Sequence, residues 1–358
     1  MGSYWFIGTR QWLIDWVALP PPPMRPRRWL ALPYFNGGCG DVSVILASYL
    51  ECKARLDLNG RYGSRLTTYS VDTTTYRTFR VEGNYPTLKT QVTVDVSTSG
   101  ESNAGLSIVS SGSSEVTYIM SPDTGVYTLK VTAPSERGCY FTFPPHCAAA
   151  HVTLLLPLGT EGSSIVRSGY SVEVDVGGGM VTLSKGLSMA TPLRNLTLSV
   201  HRGGIQAEQG DEGSGGIQME NGMIRTWDTA IQGVVSPSSS LQVYGQGRSP
   251  MTLDVFLRRS TAALGNVTLD GRTITVQCRD EGSVQVKLRG GDFSGQAEAL
   301  TDGGYQADLR GPRVQLQKSL VSNKVGLCLG TGNRGGGGED VALVSAHVGA
   351  ATLELTDS

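Results

Sequence analysis

The sequence is poor in charge, in aromatic rings, in histidine and in long apolar runs, and each shortage removes a class of function. Charged residues make up 17% of 358 positions, against about 25% in a typical soluble domain. Lys and Arg number 30 and Asp and Glu 31, for a formal net charge of −1. The chain therefore has no overall basic field to gather phosphates, and nucleic acid is not an expected partner. With 4 histidines and no C-x-x-C pair, a structural zinc site is not expected; neither is any other metal or cofactor. The nearest approach to an apolar span, Trp5 to Leu19, is broken by Arg10 and Asp15. It is too interrupted for a transmembrane helix, and it lacks the continuous apolar stretch and cleavage site of a secretory signal. No G-x-S-x-G elbow, H-E-x-x-H pair or Walker lysine loop occurs, so hydrolase, metalloprotease and nucleotidase readings lose their usual anchors.

What the chain does have is small and hydroxyl-bearing residues: 47 glycines, 35 serines and 32 threonines, the glycines at about twice average usage. Hydrophobic residues reach 39%, enough to bury a core and to argue against disorder over most of the length. They fall at alternate positions in short tracts such as Arg77-Thr-Phe-Arg-Val81, Gln91-Val-Thr-Val-Asp-Val96, Ser171-Val-Glu-Val-Asp-Val176, Asn195-Leu-Thr-Leu-Ser-Val200 and Ser283-Val-Gln-Val-Lys-Leu288. Period-two alternation is the signature of strands with one buried face. The fold class expected is all-β.

Three sections follow from changes in composition. Residues 1–50 hold Trp5, Trp12, Trp16 and Trp29, the Pro20 to Pro23 run and Arg25, Arg27 and Arg28, and read as an atypical, disordered leader. The sharper alternative is a membrane-proximal anchor, with aromatic and arginine side chains of residues 1–30 at a lipid interface. Residues 54–160 form a β-rich N-terminal section. Residues 165–358 carry evenly spaced, glycine-punctuated strands, with a soft boundary near 160. A sandwich would need clear hairpin turns, and only Asn221-Gly222 and Asp270-Gly271 resemble them. The even spacing instead favours a β-solenoid of stacked short strands for 165–358. The earlier section is either its lower rungs or a separate sandwich.

Residues 165–355 resemble the putative-adhesin β-solenoid family, glycine-punctuated repeat proteins of bacterial envelopes and fungi. The resemblance is carried by the strand units that open on Ser or Gly, by Gly291-Asp-Phe-Ser-Gly-Gln-Ala-Glu-Ala-Leu-Thr-Asp-Gly-Gly304, by Gly326-Leu-Cys-Leu-Gly330, and by the closing Asp340-Val-Ala-Leu-Val344 and Ala351-Thr-Leu-Glu-Leu355. It implies a non-enzymatic surface protein with no catalytic residues to carry over. Fungal members commonly have an N-terminal membrane segment, and residues 1–50 contain no clean one.

The remaining candidate chemistry is sparse. Six cysteines allow 15 pairings, of which Cys139–Cys147, flanking a Pro-Pro turn, is the candidate disulfide; Cys278 and Cys328 read as buried strand thiols. Asn195-Leu-Thr and Asn266-Val-Thr are candidate N-glycosylation sites if the chain is secreted. Gly330-Thr-Gly-Asn-Arg-Gly335 spells a dinucleotide fingerprint, but a strand rather than a helix is expected after it, so it reads as a loop. Asp211, Glu212, Asp280, Glu281 and Asp292 could supply paired carboxylates to a polysaccharide-cleaving β-helix, yet each lies near glycine as a turn acid would. His201-Arg202 reads as a strand end, and the Arg-Gly-Gly triplets at 202, 289 and 334 are too dispersed for RNA. The leading expectation is a non-enzymatic β-solenoid at the cell surface or outside the cell, adhering to an unidentified protein or carbohydrate or acting as a scaffold. A carbohydrate-active β-helix enzyme and an intracellular β-rich scaffold are the alternatives.

Overall fold

The computed structural model describes residues 65–83, 88–97, 103–112, 115–132, 148–157, 169–188, 193–208, 216–256, 272–289, 293–302, 304–328 and 340–356. Its strands in chain order are β1 (Arg65–Val71), β2 (Thr78–Gly83), β3 (Leu88–Ser97), β4 (Ala104–Gly112), β5 (Glu115–Ser121), β6 (Val126–Thr132), β7 (Ala148–Pro157), β8 (Ser171–Val176), β9 (Gly179–Leu183), β10 (Leu193–Val200) and β11 (Gly203–Ala207). They continue as β12 (Ile217–Trp227), β13 (Thr229–Gln246), β14 (Met251–Phe256), β15 (Thr273–Glu281), β16 (Val284–Arg289), β17 (Gly295–Thr301), β18 (Ala307–Arg310), β19 (Val314–Ser319), β20 (Asn323–Cys328), β21 (Asp340–Val348) and β22 (Ala351–Thr356). Two short 3₁₀ turns, Pro122–Thr124 and Lys185–Ser188, are the only helical elements among the described residues. The chain is all-β there.

The pairings build two long parallel ladders. The first runs β6, β2, β8, β10, β12, the C-terminal half of β13, β15, β21, β17. The second runs β7, β3, β9, β11, the N-terminal half of β13, β14, β16, β22, β18. Each two-strand rung places one strand in each ladder, and β13, at 18 residues, passes from the second ladder back into the first. Alternation decides which side chains meet. In the first ladder Phe79, Val172, Leu196, Leu241 and Ile274 occupy one inward column, while Val92, Val181, Ile205, Ile231, Met251 and Val284 do so in the second; all are buried in a single core. Each such apolar side chain contributes about 1.5–3 kcal/mol by leaving water.

Tight corners keep the rungs in register. Gly179 and Gly203 stack on each other at φ +141. A Cβ on Gly179 would lie 1.8 Å from the Thr90 carbonyl oxygen, and one on Gly203 1.6 Å from that of Gly179. No side chain fits where one rung's backbone rests on the next.

Both ends of the stack are reordered. Rung β2–β3 lies between β6–β7 and β8–β9, and β21–β22 lies between β15–β16 and β17–β18. Antiparallel strands then cover terminal edges: β5 on β6 and β4 on β7 at one end, β20 on β17 and β19 on β20 at the other. Such cover removes backbone groups that would template further pairing. The pairings of β2 with β8 and of β3 with β9 cross the soft boundary near 160, so hydrogen-bonded ladders join the two sections there. Asn221-Gly222, expected as a turn, lies inside β12 with Asn221 opposite Asn195 and Ser240. The leader, Cys139, Cys147, Asn266, Asp211, Glu212, Asp292 and residues 330–335 lie outside the described residues.

Candidate functional site

The outer face of the first ladder begins with a polar column. Thr78, Ser171, Asn195, Asn221, Ser240 and Thr273 stand at equivalent positions on successive strands. Asn195 Nδ2 donates to Ser171 Oγ at 3.2 Å, Asn221 Nδ2 donates to Asn195 Oδ1 at 3.4 Å, and Ser240 Oγ donates to Asn221 Oδ1 at 2.8 Å. In-register parallel strands make this possible, because identical backbone positions repeat every ~4.8 Å, within reach of a side-chain amide. Asn195 uses both ends of its amide in the column, so a glycan on Nδ2 would crowd the contact with Ser171.

At the other end of the same strands the face becomes aromatic and cationic. Trp227, the last residue of β12, is 50% exposed, and it stands opposite Gln246 while Arg225 stands opposite Tyr244. Gln277 is paired with Tyr244, and Gly245 with Cys278, which brings Arg279 beside Gln246 on the outward side. On the preceding rung Val200 is opposite Thr226, so His201 and Arg202 begin the corner next to Trp227. His201, Arg225 and Arg279 are exposed.

The adjoining corner holds the acids. Asp228, at φ +49, is the single non-glycine residue in the left-handed region among the described residues, a conformation that a short Asp side chain tolerates by bonding locally. Its Oδ1 accepts from the Arg248 backbone N–H at 2.9 Å. Asp280 Oδ2 accepts from the Gly247 N–H at 2.7 Å, and Glu281 pairs with the exposed Arg248 at 2.9 Å. Two of the acids singled out from the sequence, Asp280 and Glu281, are thus exposed neighbours at the end of β15, bonded to the β13–β14 corner.

Ion pairing divides the arginines. Arg80 pairs with Glu173 at 2.6 Å, Arg289 with Asp254 at 2.6 Å and Arg272 with Asp340 at 2.9 Å. Among the described residues Arg202, Arg225 and Arg279 make no ion pair: Arg225 is two residues before Trp227 on the same face, Arg202 lies at the neighbouring corner, and Arg279 is two strands from Trp227, beyond Gln246. The Arg272–Asp340 pair is buried and structural: Asp340 also accepts from the Arg272 N–H at 3.0 Å and the Ser294 N–H at 3.0 Å, tying β21 to the starts of β15 and β17. Burial pushes the Asp340 carboxyl up, but the hydrogen bonds and the guanidinium outweigh it and hold the group below the usual carboxylate range. Burial pushes the Cys278 thiol up and keeps it protonated at neutral pH. Cys278 and Cys328 are both buried in strands.

Sequence reasoning placed His201-Arg202 as a strand end, and they form the β10–β11 corner. It missed Arg225, Trp227, Tyr244 and Arg279 as a group. The available signal was the position of Trp227 outside the leader, two residues after an outward arginine in an alternating tract. Among the described residues no group of three or more His, Cys, Asp or Glu side chains could hold a metal ion, and no helix is long and apolar enough to cross a membrane.

No family model and no curated protein matches the chain. Solved structures similar to it include a putative cell adhesion protein from Clostridium sporogenes (10% identity, TM-score 0.34, 82% of this chain and 100% of that one). A putative adhesin from Bacteroides fragilis aligns at 10% identity and TM-score 0.30, over 82% of this chain and 98% of the other. One from Parabacteroides merdae aligns at 10% identity and TM-score 0.34, over 82% and 97%. Superpositions at these scores do not establish a shared fold.

Proposed function

We propose that the chain is a non-enzymatic β-solenoid at the cell surface or outside the cell, acting by adhesion or as a scaffold through the outer face of its first ladder. The observation that carries this reading is the Trp227 face: an aromatic side chain 50% exposed on a rigid platform of in-register strands. A large exposed aromatic on a rigid sheet offers contact area at little entropic cost. The polar column at the other end of the same strands is internally bonded. Asp280 and Glu281, the acids an enzyme would need, are engaged by Gly247 N and Arg248.

The test combines retention and turnover. The purified chain is applied to immobilised polysaccharides and envelope proteins, and the same polymers are assayed for new reducing ends and unsaturated products. Retention without product is expected. Product formation abolished by Asp280→Asn or Glu281→Gln would instead establish the carbohydrate-active enzyme. Surface labelling of intact native cells checks location, and recovery only from the cytosol favours the intracellular scaffold.

A further inference from the structure

The geometry points to the Trp227 patch as a subsite for an anionic polysaccharide, a sugar polymer carrying carboxylate or sulfate groups; this rests on the adhesion reading above. Three independent features select that chemistry. Trp227 and Tyr244 lie on one face, on neighbouring strands and offset by one outward position, so their rings suit the apolar faces of successive pyranose units. The amides of Gln246 and Gln277, on the same face, can both donate to and accept from sugar hydroxyls. Arg202, Arg225 and Arg279 lie on or next to the strands that carry the aromatic pair and, like the distant Arg194 and Arg77, make no ion pair among the described residues, whereas Arg80, Arg248, Arg272, Arg289 and Arg310 each face a carboxylate. An unpaired guanidinium presents a planar fork that matches carboxylate and sulfate oxygens.

The geometry also sets a direction. Arg225 on β12 and Arg279 on β15 are two strands apart, about 10 Å along the ladder axis; Arg225 is level with Trp227 and Arg279 is one strand beyond Tyr244, so an extended chain lying along that axis passes both rings and both charges. Asp228, Asp280 and Glu281 border the patch, each bonded to Gly247 or Arg248, and single-stranded DNA in the experiment tells a phosphate backbone from an acidic sugar polymer.

The experiment measures binding of the full chain to polygalacturonate and hyaluronate (carboxylate), dextran sulfate (sulfate), dextran (neutral) and single-stranded DNA, at 50, 150 and 500 mM NaCl. Preference for a carboxylated or a sulfated polymer over dextran is expected, weakening at least tenfold across the salt series. Trp227→Ala and the double variant Arg225→Gln/Arg279→Gln should each weaken it at least tenfold, with unchanged circular dichroism and melting. Arg194→Gln serves as the charge-matched control: Arg194 is exposed at the far end of β10, roughly 20 Å away, and should change binding less than twofold. Whichever of the two anionic groups is preferred identifies the source of the charge. Equal retention of dextran, tighter binding of DNA, or an Arg194→Gln effect as large as that of the double variant overturns this proposal and leaves the adhesion reading standing. Polymer cleavage overturns the adhesion reading itself.

Discussion

The two ladders share one core and one register, yet their outer faces differ in how charge is handled. On the second ladder cross-strand pairs join neighbouring strands: Asp254 with Arg289 at 2.6 Å and Lys287 with Glu354 at 3.7 Å, while Asp308 is shared by Arg310 and Lys324. On the outer face of the first ladder the cross-strand pairs among the described residues, Arg80 with Glu173 and Lys130 with Glu82, lie near its β6–β2–β8 end, and Arg248 meets Glu281 at a corner. Over β10, β12, β13 and β15 its face carries a hydroxyl and amide column, two aromatic rings and unpaired arginines. A face whose charges neutralise one another across strands stabilises the stack weakly and attracts little. A face with unmatched charge beside an exposed ring is open to a partner.

The largest loss of stability is expected at the buried Arg272–Asp340 pair. Asp340→Ala leaves Arg272 as an uncompensated charge in the core, and loss of about 3–5 kcal/mol is expected in denaturant titration. Limited proteolysis should then cut first within the β15, β17 and β21 part of the stack. The same pair predicts an acid limit. The Asp340 carboxyl is held below its unfolded value of about 3.9, so its stabilisation is present above that value and is lost as pH falls through the lower folded one; Asp340→Asn should flatten the acid limb of a melting-temperature profile.

Next in size is the corner that both ladders depend on. Gly203→Ala puts a Cβ 1.6 Å from the Gly179 carbonyl oxygen, and about 2–3 kcal/mol should be lost as the corner strains; a neutral result would mean the rungs are not packed backbone to backbone. Trp227→Ala should remove binding at little cost in stability, since half the ring is already in solvent. Smallest of all, Lys287→Gln on the second ladder should change stability by about 0.5 kcal/mol or less, because exposed pairs are screened and mobile, and should leave retention on polysaccharide unchanged. Large binding loss from Lys287→Gln would show that the faces do not differ as described.

Alternation in the sequence was a good guide to strands with several branched or long apolar residues, such as β3, β8, β10 and β16. It missed β9 and β11, the Gly179–Leu183 and Gly203–Ala207 tracts. Each has five residues, opens on glycine, and follows the preceding strand after a two-residue corner, so the pair looks like one strand and a loop. Asn221-Gly222 was misread for a related reason: the dipeptide suits a hairpin turn, but here Asn221 finds partners in Asn195 and Ser240, and Gly222 makes room for the side chains of Met219 and Leu241, 2.7 and 2.9 Å from where its Cβ would be. The candidate site was legible only as separate residues. Arg225 and Arg279 are 54 positions apart in the chain, and no local pattern connects them.

By itself the amino-acid sequence determined that this protein is all-β, with one buried face on each short strand, because period-two alternation and scarce helical patterning admit little else. Only the tertiary structure decided which strands are neighbours, that the 54–160 and 165–358 sections share ladders, that the terminal rungs are reordered, and that Trp227 stands among unpaired arginines. Stacking order depends on contacts between residues distant in sequence. Their register is set by backbone packing at corners such as Gly179 and Gly203, and the chemistry of a face exists only once that register has brought its columns together.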